Sequence, residues 1–181
     1  MQIHEILSQI REGQLSLEAA ELKLKMQPFE ELGFAKLDHH RQIRQDMQEV
    51  IYGASKTPEQ ILKISQTMDA RGDKNILITR MKPEAADLLK QHVDLFYDPL
   101  SKIGIVNRES YDTGNGTVLV VSGGTSDQPI CEEAALTLEA LGNHVERIYD
   151  VGVAGLHRLL ANLDLLMSAN VVIAVAGMEA H

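Results

Sequence analysis

The sequence has a single cysteine, no long apolar run and no excess of basic residues, and each absence excludes a class of protein. Cys131 has no partner for an intrachain disulfide, which is typical of a reducing compartment. No segment approaches the roughly 18 consecutive apolar residues that span a bilayer, and residues 1–20 lack the apolar core of a signal peptide. The formal net charge of -9 offers no basic surface for nucleic acid or an anionic membrane. We therefore predict a cytoplasmic protein that binds neither nucleic acid nor membrane.

The first part of the chain, residues 1–112, predicts a small α+β domain. Apolar residues at helical spacing in IHEILSQIREGQ, followed by SLEAAELKLKM, predict a helical hairpin with a stop at Gly13. EVIYG and NILITR are typical of strands, and helices are expected from Thr57 and Pro58 onward and in KPEAADLLKQH. The glycines and polar residues of SYDTGNGTV predict a hinge after this domain.

The second part, residues 113–181, alternates regularly between apolar runs and helical segments. TVLVVSG, HVERIYDVG and NVVIAVAG predict three strands, and PICEEAALTLEALG, ended by Gly142, predicts the first intervening helix. VAGLHRLLANLDLLM predicts the second, with one apolar stripe formed by Val153, Leu156, Leu160, Leu163 and Met167. Strand, helix, strand, helix, strand with short connections predicts an α/β fold with a right-handed parallel sheet.

Three loops follow the predicted strands and are expected at one edge of the sheet, where open α/β sheets bind ligands. They span residues 122–127, 149–158 and 176–181. In the first, SGGTSD, Gly123 and Gly124 allow close approach of a ligand to the backbone, and the hydroxyls of Thr125 and Ser126 add donors. Ser126 or Asp127 is also suited to capping the next helix. The pattern therefore leaves open a phosphate site and a simple capped turn. It matches neither the dinucleotide fingerprint nor the P-loop.

The long stretch GGTSDQPICEEAALTLEALGNHVERIYDVGVAGLHRLL, followed by VVIAVAGME, resembles the carboxylase family of nickel-pincer cofactor biosynthesis. DHHRQIRQDMQEVIYGASKTPEQI resembles the leading domain of the same family, so the resemblance covers nearly the whole chain. The carboxy-terminal half, residues 113–181, is similar to the purine enzyme phosphoribosylaminoimidazole carboxylase. This similarity implies a flavodoxin-like fold with an incomplete sheet of about three strands.

The resemblance implies carboxylation of the pyridinium ring of nicotinic acid adenine dinucleotide with release of AMP. It implies a nucleotide substrate, carbon dioxide or bicarbonate as co-substrate, no tightly bound cofactor, and a homo-oligomer for the complete family member. Magnesium is left open. By the same resemblance His157 handles a proton and Arg158 holds phosphate, while Ser126 and Asp127 contact phosphate and ribose. The implied third-loop site residues are Gly177, Met178 and Glu179.

The chain departs from the family pattern after Glu179. The family is thought to attack the pyridinium with a cysteine that lies beyond residue 181, and Cys131, in the QPICEEA helix, matches no catalytic position, so we interpret it as a packing residue. We therefore expect a truncated or split product that carboxylates poorly. Alternatives are an aminoimidazole ribonucleotide carboxylase or mutase and a non-catalytic nucleotide-binding protein. A receiver domain shares the fold class but needs more acidic residues at strand ends. His39 and His40 are interpreted as a solvated or locally paired cluster.

Overall fold

The computed structural model describes residues 3–20, 29–31, 36–38, 49–110 and 112–177. The chain divides into two compact units, Met1–Glu49 and Val50–His181. The domain boundary predicted at residue 112 stays a prediction. Thr113, just after this boundary, is hydrogen-bonded to the rest of the second unit. Its amide and its hydroxyl both donate to the carbonyl of Gly142, at 2.8 and 3.0 Å.

The first unit begins with a helix and contains a short strand pair. Helix α1 spans Ile3–Arg11 and ends at the predicted stop, where Gly13 adopts a φ of 71°. Residues 17–20 are helical, and the Ser16 hydroxyl accepts from the Ala19 amide at 3.1 Å, as expected for a helix start. Strands β1 (Phe29–Glu31) and β2 (Lys36–Asp38) pair antiparallel.

The second unit starts with a four-stranded mixed sheet in the order β3-β4-β6-β5. Its elements are β3 Ile51–Tyr52, α2 Pro58–Asp69, β4 Ile76–Thr79, α3 Pro83–Leu89, β5 Leu95–Asp98 and β6 Ile103–Val106. Only the β3–β4 pair among these is parallel. Helix α2 begins where the sequence predicts. A capping box joins Thr57 and Gln60, whose side chains accept from each other's amides at 3.3 and 3.0 Å, and Pro58 occupies the first turn.

A second sheet of three strands carries the remaining elements in the order β8-β7-β9. They are β7 Thr117–Ser122, α4 Gln128–Ala140, β8 His144–Ile148, α5 Leu156–Leu160, α6 Leu163–Ser168 and β9 Val171–Val175, with 3₁₀ turns at Thr125–Asp127 and Val153–Gly155. All three strands are parallel. The first of these three strands along the chain, β7, is central, which is the flavodoxin-like arrangement and confirms the predicted α/β fold.

Helix α4 packs against both sheets of the second unit. Leu136 and Ala140, four residues apart, join a buried cluster with Leu77 of β4 and with β6. Cys131 and Ala135, also four residues apart, pack with β7 on another side of the helix. This spacing places each pair on its own face of a 3.6-residue helix. The helix therefore connects the cores of the two sheets.

The central strand β7 is covered on both faces, which explains its continuous apolar sequence. Leu119 and Val121 pack toward α5 and α6, and Val120 packs toward α4. Leu119 and Val120 are both 0% exposed. Each contributes about 1.5–3 kcal/mol through burial.

The predicted long helix after β8 is wrong in two respects. It is a 3₁₀ turn followed by α5 and α6, which are interrupted at Ala161 and Asn162. The five residues of the predicted apolar stripe are exposed, from 48% for Leu163 to 79% for Met167. The side chains that pack toward β7 are instead Leu159, Leu165, Leu166 and Ala169. Because the apolar side of this segment is broad, its periodicity did not identify which leucines face the sheet.

No helix in the described parts of the chain has the length and apolarity to cross a membrane.

Candidate functional site

A cleft of about 590 Å³ lies at the carboxyl ends of the three parallel strands. The loops after β7, β8 and β9 all line it, as the strand order requires. Its walls also include apolar side chains from the sheet and from the helices after β8, namely Val121, Val151, Leu159, Leu166 and Val172. Five of the residues predicted from the sequence line it: Gly123, Gly124, Ser126, Asp127 and Gly177.

Some backbone amides of the SGGTSD loop donate hydrogen bonds within the protein, and others do not. The Gly123 amide donates to the carbonyl of Val175 at 2.9 Å, and the Asp127 amide donates to the carbonyl of Gly124 at 3.2 Å. No described residue accepts from the amides of Thr125 and Ser126, and both residues are exposed. These two amides at the start of a helical segment are therefore the donors that the loop offers to an anion.

The carboxylate of Asp127 joins the first loop to the third. Its Oδ2 accepts from the Gly124 amide at 3.0 Å, and its Oδ1 accepts from the Gly177 amide at 3.0 Å. Asp127 precedes α4 but makes no side-chain cap bond to that helix. The cap predicted for this helix is therefore not made by Asp127.

Gly152, in the second loop, was not singled out from the sequence. Its amide donates to the carbonyl of Gly123 at 2.8 Å, and a Cβ at position 152 would lie 2.5 Å from that carbonyl oxygen. Only glycine fits this approach of the first two loops. At Gly124, in contrast, a Cβ would lie 3.7 Å from Asp127 Oδ2, which is an ordinary contact.

Two further residues missed by the sequence reasoning fix the second loop. The hydroxyl of Ser122, a fully buried residue at the end of β7, accepts from the Asp150 amide at 2.9 Å. Asp150 itself adopts a φ of 59° in the left-handed region. The sequence signal for this arrangement was that Ser122 ends β7 and Asp150 lies two residues after β8.

His157 and Arg158 follow the cleft-lining part of the second loop but do not line the cleft. His157 is exposed on α5. The Arg158 guanidinium pairs with the Asp150 carboxylate and lies against Gly155, where a Cβ would collide with its Nε. Arg158 Nε is buried without a hydrogen-bond partner among the described residues. Arg158 is thus held on the same edge of the sheet by Asp150.

A charged network lies on the α4 side of the sheet. Arg147 on β8 pairs with Glu132 at 3.3 Å and with Glu139 at 2.6 Å, both on α4, and the Tyr149 hydroxyl donates to Glu132. Burial, and then the hydrogen bond to Glu132, raise the pKa of Tyr149. Burial likewise raises the pKa of the Cys131 thiol, which is 0% exposed and packs in the core as the sequence predicted. This network joins α4 to β8.

Several predicted residues lie outside the described part of the chain: Met178, Glu179, His181, His39 and His40. Within the residues that the structure describes, no group of three or more His, Cys, Asp or Glu side chains is arranged to hold a metal ion.

Comparison with known proteins identifies two relationships. A family model described as the LarB/PurE-like N-terminal domain matches residues 29–108. The uncharacterized protein MJ0165 of Methanocaldococcus jannaschii is 32% identical over 189 residues, an alignment that covers 98% of this chain and 73% of that protein.

Proposed function

Because the chain belongs to the LarB/PurE-like family, a family of carboxylase and mutase type, we propose that it binds a nucleotide in the cleft at the carboxyl ends of β7, β8 and β9. The substrate in this proposal is nicotinic acid adenine dinucleotide, carboxylated on its pyridinium ring with release of AMP. The observation that carries the proposal is the cleft itself, which combines glycine-rich loops with apolar walls. The match to the LarB/PurE-like N-terminal domain supports the family from which this substrate is taken.

The anion of the nucleotide lies at the SGGTSD loop. The amides of Thr125 and Ser126 supply donors without a described acceptor, and Ser126 lines the cleft. The net charge of -9 gives the protein no general attraction for an anion. The anion must therefore be held by local hydrogen-bond donors such as these amides. Arg158 supplies a cation once a phosphate replaces Asp150 as its partner.

The ring lies against the apolar walls, where water is excluded. Carbon dioxide is a weak electrophile, so the ring carbon that attacks it must be electron-rich, and the new carboxylate needs hydrogen-bond donors. His157 takes the ring proton in this proposal, since imidazole is the side chain suited to proton transfer near neutral pH. It is exposed on α5, next to Arg158, so it must approach the cleft when substrate binds.

An aminoimidazole ribonucleotide is the second candidate substrate. A pyridinium must first accept a nucleophile before its neighbouring carbon attacks carbon dioxide, whereas an aminoimidazole is already electron-rich. The one cysteine in these 181 residues, Cys131, is fully buried. Cys131 is therefore not the nucleophile that a pyridinium requires, whereas an aminoimidazole requires none.

Substrate assays distinguish the two candidates. The protein is incubated with bicarbonate, magnesium and either nicotinic acid adenine dinucleotide or aminoimidazole ribonucleotide. AMP together with a dicarboxylated mononucleotide supports the first, and a carboxylated aminoimidazole supports the second. Calorimetric titration with nicotinic acid mononucleotide tests binding apart from chemistry. Absence of both binding and turnover would contradict the proposal.

A variant pair tests where the anion lies. Gly124→Val should abolish nucleotide binding, because the added side chain occupies the close-approach position in the cleft, while the backbone at Gly124 tolerates a Cβ. Ala70→Val, at an exposed helix end remote from the cleft, is the control. Ser126→Ala should weaken binding only partly, since one hydrogen bond is lost. Tight binding by Gly124→Val would show that the glycines form only a turn.

A further inference from the structure

Three lysines lie at one edge of the four-stranded sheet, at the carboxyl ends of β3 and β4. Lys56 is in the loop after β3, Lys82 is in the loop after β4, and Lys102 directly precedes β6, which starts at this edge because it runs antiparallel to β4. The amide of Met81, next to Lys82, donates to the carbonyl of Lys102 at 2.8 Å. We call the three residues the lysine edge.

The loop after β3 is held close to the end of β4. The Gly53 amide donates to the carbonyl of Thr79 at 2.8 Å, and a Cβ at position 53 would lie 2.9 Å from that oxygen. The Lys56 ammonium folds back over the strand and donates to the carbonyl of Tyr52 at 3.1 Å. The lysine edge is therefore one connected surface rather than three separate loops.

No carboxylate among the described residues pairs with the lysine edge, whose members are exposed or partly exposed. Neighbouring carboxylates already have donors. Asp98, at the end of β5, accepts from the Ser101 amide at 2.8 Å. Hydrogen bonds from its own amide, and then from the Thr57 side chain, lower the pKa of Glu59 at the start of α2. In a chain with a net charge of -9, lysines without a carboxylate partner provide a local attraction for an anion.

Helix α4 places the lysine edge and the cleft on the same side of the second unit. Leu77 of β4 shares a buried cluster with Leu136, whereas Arg80, three residues later, pairs with Glu133 at 3.3 Å. β4 therefore runs antiparallel to α4, as β7 does, and both strands end toward the start of α4. Glu133 is about 8 Å along the helix axis from that start at Gln128, at 1.5 Å per residue.

An exposed aromatic ring adjoins the lysine edge. Tyr52, the last residue of β3, is 56% exposed, although large apolar surfaces are usually buried. A ring at the surface offers a face on which a nucleobase stacks, and an ammonium suits a phosphate. A stacking face next to unpaired ammonium groups fits a nucleoside monophosphate better than it fits inorganic phosphate.

We propose that Tyr52 and the lysine edge form a second subsite, which binds the AMP half of the dinucleotide while the cleft binds the pyridinium half. The inference rests on the proposed function, because that reaction releases AMP. The phosphates contact the lysines and the adenine stacks on Tyr52. Since cleavage of the phosphoanhydride turns one ligand into two, separate subsites let AMP leave while the mononucleotide stays in the cleft.

The test titrates ¹⁵N-labelled full-length protein with AMP and, separately, with nicotinic acid mononucleotide. AMP should move the amide resonances of residues 53–57 and 80–82, and nicotinic acid mononucleotide should move those of residues 123–127. Nicotinic acid adenine dinucleotide should move both sets. If AMP moves only the resonances of residues 123–127, or moves neither set, the second subsite does not exist and the inference is overturned.

A triple variant tests the contact between the lysines and the phosphate. It should bind AMP about tenfold more weakly, because each exposed ion pair contributes about twofold to threefold, and its affinity for nicotinic acid mononucleotide should be unchanged. The variant is Lys56→Gln, Lys82→Gln and Lys102→Gln. The matched control removes three charges from exposed lysines elsewhere: Lys63→Gln, Lys74→Gln and Lys90→Gln. Equal weakening in both triple variants would show only general electrostatic attraction and contradict the proposal.

Tyr52→Ala tests the contact with the base. It should weaken AMP binding about fivefold, the effect of losing one stacked base, and leave the binding of inorganic phosphate unchanged. Unchanged affinity for AMP would contradict the role of the ring. If AMP binds at the lysine edge but nicotinic acid mononucleotide does not bind in the cleft, the proposed function fails and the subsite stands. The reverse result overturns the subsite alone.

Discussion

The close approach of the first two loops makes a strong prediction for Gly152→Ala. A Cβ at position 152 would lie 2.5 Å from the Gly123 carbonyl oxygen, which is backbone and has no flexible end to move aside. The two loops must separate, and the 2.8 Å hydrogen bond from the Gly152 amide to that oxygen is strained or lost. Overpacking costs about 1–3 kcal/mol and the hydrogen bond about 0.5–1.5 kcal/mol. The free energy of unfolding should fall by about 1.5–4.5 kcal/mol in total.

Urea denaturation followed by circular dichroism measures this loss. With a slope of about 2 kcal/mol per molar urea, the midpoint should fall by about 1–2 M. Gly124→Ala is the matched control in the neighbouring loop. There the Cβ meets Asp127 and Ser126 at 3.7 and 3.9 Å, and the φ of -136° suits any residue. Its stability should be unchanged or higher by up to about 1 kcal/mol, because alanine restricts the unfolded chain.

Equal stability of the two variants would refute the reasoning. If Gly152→Ala unfolds at the same urea concentration as Gly124→Ala and the parent, the first two loops are not held in contact. The cleft would then lack the wall that residues 152–154 supply.

Three further predictions concern the core and the charged network. Leu119→Ala, at a fully buried position of the central strand, should destabilise the protein by about 2–5 kcal/mol in the same urea assay. The Cys131 thiol should not react with a disulfide reagent until denaturant is added, because it is buried and its pKa is raised; rapid labelling of the folded protein would contradict this. Since burial and Glu132 raise the pKa of Tyr149, the unfolded chain loses that proton first. Stability should therefore fall as the pH rises above about 10, and Tyr149→Phe should reduce this fall in denaturation measured across alkaline pH.

Local signals explain which parts of the fold were predictable. The threonine and proline at residues 57 and 58 mark a helix start by capping and by a fixed φ, and the structure has both. Gly142 marks the end of α4, where it adopts a φ of 80°. The continuous apolar run of β7 predicted a strand of a parallel sheet, because a strand covered on both faces has no polar side. In each case the physical cause lies within a few residues of the feature.

The segment after β8 was not predictable in the same way. Its apolar side is broad, because it carries Leu156, Leu159, Leu160, Leu163 and Leu166, so an apolar stripe can be drawn along more than one line. The break at Asn162 has no glycine or proline to mark it. Packing against the sheet decides the outcome, and it buries Leu159 and Leu166 rather than the predicted stripe. Tertiary contacts therefore decide which residues are buried where the apolar side of a segment is broad.

Several residues that line the cleft could be predicted from composition, but the hydrogen bonds that they make could not. Gly123, Gly124, Ser126 and Asp127 were chosen because glycines and small polar residues follow an apolar strand, and they do line the cleft. The bond that Asp127 accepts from Gly177 joins residues 50 positions apart along the chain, so no local spacing could reveal it.

The ion pair between Arg158 and Asp150 limits what Arg158 can contribute to the affinity for a ligand. Its guanidinium already pairs with Asp150, and both side chains are partly exposed, at 41% and 43%. A phosphate that recruits Arg158 must replace that carboxylate, so only the difference between two ion pairs contributes to affinity, and each pair is weakened by solvent. The Thr125 and Ser126 amides have no described acceptor to give up. Affinity for an anion at this edge should therefore come chiefly from backbone donors, with the arginine contributing more to orientation than to strength.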